Sequence, residues 1–152
     1  MMDDSTSQWK KLAAELDEHR NFWLATVNLD NTPHVAPIWG VVLEDRFLFY
    51  TSRVSRKARN IIRQPHVGLH LESAENVLIV YGNAADDGLP QNHPAVLTAL
   101  EQKYDQPGDH DYLPSSDTSY DVLFSLNPTS ALGWRLDDFE GSQIRWAQKG
   151  NR

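Results

Sequence analysis

Apolar and β-branched residues come in short runs along this chain, separated by clusters of Asp, Asn, Pro, Gly and Ser. Residues 22–29 (FWLATVNL) read as a strand, and Asp30-Asn31-Thr32-Pro33 as a turn. Residues 34–43 (HVAPIWGVVL) form a second strand interrupted by Pro37 and Gly40, which mark an edge, a bulge or a close approach to the backbone. Glu44-Asp45-Arg46 turns the chain into a third strand, 47–51 (FLFYT). Residues 66–72 and 77–84 make a further hairpin, and 122–126, 131–136 and 143–147 read as closing strands. Trp9, Leu12, Ala13 and Leu16 recur at helical spacing, with Ser7 as N-cap. Ser55 caps a second helix that runs to Gln64 and is stopped by Pro65. Residues 94–104 form a third. Residues 106–119, rich in Pro, Gly, Asp and Ser, are a long loop of a kind that is uncommon and often functional. Six to eight short strands with few helices predict a small antiparallel β-barrel.

Composition narrows the class. The 152 residues, without repeat or linker, suit a single domain over 1–152. A hydrophobic share of 40% and a charged share of 23% are those of an ordinary globular chain, and no run reaches the apolar length of a membrane helix. The acidic start Met1-Met2-Asp3-Asp4-Ser5 is unlike a secretory signal. With no cysteine, disulfides, thiolate metal sites and cysteine catalysis are excluded, and a cytoplasmic location is expected. A net charge of −7 argues against nucleic acid as partner.

That charge is unevenly spread. Residues 46–71 contain no Asp or Glu but hold Arg46, Arg53, Arg56, Lys57, Arg59 and Arg63. If Ser55 caps a helix, Arg56 and Lys57 sit in its first turn, where the helix dipole disfavours cations. An anion docked on the free N–H groups and both side chains would account for them, and a phosphate is the natural candidate, with Thr51 and Ser52 adding hydroxyls. The alternative is that both side chains point into water. His66 and His70 face the same way on one strand but stand about 13 Å apart, too far to share a metal. No zinc spacing, Walker loop, nucleophile elbow or Rossmann glycine pattern is present, and no metal is expected. Among the five tryptophans, Trp9 and Trp23 read as packing residues. Trp39 reads equally as packing or as a stacking surface for a flat heterocycle, and Trp134 and Trp146 as interface residues.

The run Tyr50-Thr51, Arg56-Lys57, Asn60, Pro65 resembles the phosphate-binding segment of the pyridoxamine 5'-phosphate oxidase-like FMN-binding split barrels. Trp23-Leu24-Ala25-Thr26-Val27, followed by Pro33-His34-Val35, Pro37 and Trp39, is similar to their opening strands. Trp39 together with Arg145-Trp146 looks most like the branch that uses the deazaflavin coenzyme F-420. The resemblance covers residues 20–85 well and 120–147 more loosely. It implies a mainly β fold, a six-stranded antiparallel split barrel with a few short helices, forming a homodimer with the cofactor at the interface. Arg56 and Lys57 would hold the cofactor phosphate, assisted by Tyr50, Thr51 and Ser52. Val35, Pro37 and Trp39 would line the ring, and Trp134 and Arg145 would reach it from the partner chain. The long C-terminal extension of true pyridoxamine 5'-phosphate oxidases has no counterpart, so that activity is not expected.

The implied function is an oxidoreductase in which coenzyme F-420 carries a hydride to a small conjugated or electron-poor substrate. FMN in the same pocket, giving a flavin reductase or oxidase, is the alternative. The spacing i, i+3, i+7 of Arg56, Arg59 and Arg63 suits the acidic tail of the larger cofactor. A non-catalytic flavin or haem binder of the same fold is a further reading, and a barrel without ligand another.

Overall fold

The computed structural model describes residues 4–149. Eight strands form one antiparallel sheet: β1 (Phe22–Val27), β2 (Pro33–Ile38), β3 (Gly40–Leu43), β4 (Arg46–Thr51), β5 (His66–Leu71), β6 (Asn76–Asp86), β7 (Val122–Arg135) and β8 (Ile144–Ala147). Three α-helices accompany it: α1 (Asp4–Asp17), α2 (Arg56–Arg63) and α3 (Pro94–Lys103). The spatial order is β2-β1-β5-β6-β7-β4-β3, with β8 added on β7. The two edge strands are therefore neighbours in sequence, separated by Trp39 alone. The sheet curls until its edges meet at that residue, which makes it a split barrel.

Alternation along the strands sorts the two faces. Paired residues Ile38, Phe22 and Leu71 share one face, and Leu24, Leu69, Val80, Ala131 and Trp146 continue it across the sheet. All of these are buried. Trp9, Leu12, Ala13 and Leu16 of α1, and Ala58 and Ile61 of α2, join the same core. The opposite face carries Pro37, Trp23, His70, Ile79, Leu132 and Arg145 in register from β2 to β8. A second, smaller core lies between β3, β4 and α3, built on Leu48, Tyr50, Val96, Leu100 and Tyr104.

The sequence expectations hold for the barrel, with four local differences. The second strand is divided into β2 and β3, because Trp39 bridges the two sheet edges and pairs with neither β1 nor β4. The stretch Asn127-Pro128-Thr129 does not end a strand; β7 runs through it. Tyr81 faces Ser130 while Gly82 faces Pro128, so Thr129 is the extra residue of a bulge, which accommodates the proline's missing N–H. Helix α1 starts at Asp4, leaving Ser7 inside it; the Trp146 indole donates to the Ser5 carbonyl and ties down the first turn. Trp146, expected at an interface, is a core residue packed on Trp9, with ring centroids 5.3 Å apart, and Trp23 lies on the outer face.

Candidate functional site

The chain leaves β4 at Thr51 and enters α2 through a tight turn. The Ser55 side chain caps the helix by accepting from Ala58 N–H, and donates to the Ser52 carbonyl at 2.7 Å. The buried Asn60 amide fixes the helix to the first strand, donating to Thr26 Oγ1 at 3.0 Å and Asn28 Oδ1 at 2.9 Å. Lys57 is thereby aimed into a cleft of about 320 Å³ lined by Asn21, Pro37, Ile38, Trp39, Tyr50, Thr51, Tyr112 and Tyr120. Lys57 has no ion pair or hydrogen bond among the described residues, and burial lowers its pKa. A half-buried ammonium without a counter-ion, facing aromatic walls, suits a flat anionic ligand.

The aromatic walls are held from behind. Tyr50 donates to the Tyr112 carbonyl at 2.5 Å and packs edge-on against Tyr120, and burial pushes its hydroxyl far above the usual range. Trp39 donates its indole N–H to Asn21 Oδ1 at 2.8 Å and stacks on Tyr104. The loop expected at 106–119 contains a short 3-10 turn, Asp109–Tyr112. Asp109 is buried and accepts from both terminal nitrogens of the Arg20 guanidinium at 2.5 and 2.6 Å, which holds its carboxyl below the usual range. Leu113 is buried in the smaller core. The loop is thus a pinned wall of the cleft, contributing Tyr112, with Tyr120 directly after it.

Of the ten residues expected at the site, five share this cleft: Pro37, Trp39, Tyr50, Thr51 and Lys57. Ser52 sits in the turn beside it, its carbonyl occupied by Ser55. Arg56 is exposed and lines a separate cleft of about 340 Å³ with Asn28, Leu29 and Asp30. The Asp30 carboxyl there is held low chiefly by the Thr32 hydroxyl, with a smaller contribution from the Arg56 charge. Val35 is exposed on the outer face of β2. Trp134 and Arg145 lie on β7 and β8, across the sheet from the cleft; Trp134 is edge-on to Phe139 and Arg145 is exposed. Two other cations of the basic window have structural partners. Arg53 makes a two-pronged pair with Asp86 at 2.8 and 2.9 Å, and Arg63 donates to the Val27 carbonyl. Asn21, Tyr112 and Tyr120 were not foreseen as site residues. Aromatics inside an otherwise polar loop were the available signal for the two tyrosines. No cluster of metal-ligating side chains is present among the described residues, and no described helix is long and apolar enough to cross a membrane.

Solved structures share this architecture. An F420 reductase is 27% identical over 77% of this chain and 93% of its own, with a TM-score of 0.62. A conserved hypothetical protein from Mycobacterium tuberculosis is 20% identical over 98% of this chain and 94% of its own, with a TM-score of 0.67. The haem storage protein HutZ from Vibrio cholerae is 18% identical over 81% and 87%, with a TM-score of 0.60. No curated protein matches. The family model described as pyridoxamine 5'-phosphate oxidase matches residues 8–112, a span that takes in β1 to β6, α2 and every lining residue of the Trp39–Lys57 cleft except Tyr120. Covering well over half of the sequence, that match establishes that the chain belongs to the pyridoxamine 5'-phosphate oxidase family.

Proposed function

We propose that the cleft binds the ring and phosphate of coenzyme F-420, with FMN as the alternative, and that the protein is an oxidoreductase acting on a small conjugated or electron-poor substrate. The observation that carries this is Lys57, a half-buried cation without a counter-ion in a cleft walled by Trp39, Tyr50, Tyr112 and Tyr120. When bound, either cofactor supplies the hydride chemistry. The protein's own part is to bind and orient. Lys57 and the Thr51 hydroxyl meet the anion, Arg56 adds charge one residue away, and the aromatic walls exclude water from the ring.

The outer face of the sheet supports a homodimer. Pro37, Trp23, Ile79 and Leu132 lie in register there with Arg145, and Val35 and Tyr81 flank them, both about half exposed. A second copy docked on this face would bury those side chains and could bring its Trp134 and Arg145 toward the cleft of the first. A cytoplasmic location belongs to the same reading. The similarity to an F420 reductase favours the deazaflavin. A haem-binding role, as in HutZ, would have to draw its axial ligand from a tyrosine, because no histidine, methionine or cysteine lines the cleft and the Tyr50 hydroxyl is engaged by the Tyr112 carbonyl.

The test is a fluorescence titration of the purified protein with coenzyme F-420 and, separately, with FMN, repeated on an Arg56→Ala, Lys57→Ala double variant. Tight binding of one cofactor, lost in the double variant, is the expected result. Unchanged affinity in the double variant would overturn the site assignment, and binding of neither cofactor would overturn the function.

A further inference from the structure

Trp39 is held differently from every strand residue around it. Ile38 pairs with Phe22 of β1 and Gly40 with Phe49 of β4, but Trp39 itself has no partner in the sheet. The backbone ladder that fixes its neighbours therefore does not fix the indole. The end of α3 supplies what the ladder lacks. The Tyr104 hydroxyl accepts the Gly40 N–H at 2.9 Å and lies 2.6 Å from the Arg20 carbonyl and 3.0 Å from the Gly40 carbonyl. The Lys103 ammonium donates to the same Gly40 carbonyl at 2.8 Å. The Tyr104 ring lies flat against the Trp39 indole, with centroids 4.3 Å apart and planes 10° from parallel. The Arg20 guanidinium, held by Asp109, sits 4.7 Å from the Trp39 ring and 5.4 Å from that of Tyr104.

We propose that Tyr104 and Lys103 are positioning residues: they clamp the Trp39-Gly40 joint and set the indole as the wall against which the cofactor ring lies. This rests on the cofactor reading of the cleft. Neither residue lines the cleft; both act through Trp39. Helix α3 thereby has a task besides covering β3 and β4. The buried phenol, its bonds satisfied on one side and its ring face in van der Waals contact with Trp39 on the other, orients the indole together with the bond from the indole N–H to Asn21 Oδ1. Loosening either contact leaves the indole less firmly held, by the Asn21 bond without the full clamp, while the barrel core stays intact, because Trp39 and Tyr104 belong to the smaller core.

The test begins without any ligand, so that it stands apart from the cofactor reading. Acrylamide quenching of Trp39 is read as the difference between each protein and its Trp39→Phe counterpart. The proteins compared are the wild type, Tyr104→Phe, which keeps the stack and removes the hydroxyl, and Lys103→Met, which leaves Tyr104 in place. The Trp39 signal is expected to become more quenchable in both variants. Their affinity for FMN or coenzyme F-420 is expected to fall about tenfold, as for loss of a buried hydrogen bond, and not to fall further when Trp39 is already leucine. Identical Trp39 quenching in all three proteins would overturn the proposal. So would an affinity loss of the same size in the Trp39→Leu background. If the wild type binds neither cofactor, the function fails and the quenching comparison still decides the clamp.

Discussion

Replacing Lys57 by methionine separates function from stability, because the two should move in opposite directions. The side chain is half buried, burial lowers its pKa, and it has no ion pair or hydrogen bond among the described residues. In the ligand-free protein its charge is therefore a cost, and an apolar chain of similar length should leave the fold as stable or more so. For an anionic ligand the balance reverses. A hydrogen bond to a charged group is worth about 1.5–3 kcal/mol, so its loss should weaken FMN or coenzyme F-420 binding about 10- to 100-fold. The wild-type affinity should also weaken with added salt, and that of Lys57→Met less steeply. The assay pairs a cofactor titration at two salt concentrations with a thermal melt of the free protein. A lower melting temperature combined with unchanged affinity would refute the reasoning, because it would make Lys57 a structural residue.

Gly82→Ala should be strongly destabilising, since a Cβ there would stand 2.2 Å from the Asn127 carbonyl oxygen and 2.9 Å from Pro128 Cα. Both are backbone atoms of the bulge and cannot swing aside, so a loss of about 2–3 kcal/mol is expected in a denaturant melt, and a loss below about 0.5 kcal/mol would contradict the geometry. Lys103 gives a pH signature. Burial lowers its pKa from 10.5 to about 8, so between these values the unfolded chain holds a proton that the folded one has released. Wild-type stability should therefore rise relative to Lys103→Met as pH is raised from 8 towards 10, by at most about 3 kcal/mol; parallel profiles would remove the basis for it.

The barrel was legible because its alternation is clean: Phe22 and Leu24 point in and Trp23 and Ala25 point out, and β5 repeats the pattern with Leu69 and Leu71. Ser55 as a cap and Pro65 as a stop were readable for the same reason, that each acts within one turn of chain. What escaped was set by distant partners. The break at Trp39 comes from the meeting of two sheet edges; Pro37 and Gly40 in HVAPIWGVVL marked an interruption, but not which partners on either side cause it. The continuity of β7 through Pro128 depends on Gly82, more than forty residues earlier. Counting cations in the basic window could not show that Arg53 is engaged by Asp86, or Arg63 by the Val27 carbonyl. Tyr104, at the end of a helix, gave no local sign that it would stack on a strand residue.

The contact between the Trp146 indole and the Ser5 carbonyl spans 141 positions of chain. Trp9 packs on Trp146, so the first helix, which also lies on β3 and β4, lacks part of its cover until the last strand exists. During synthesis the side of α1 that faces Trp146 stays uncovered while nearly the whole remaining chain emerges. Folding should then finish in one late step, and truncation before residue 146 should leave a chain that associates instead of closing.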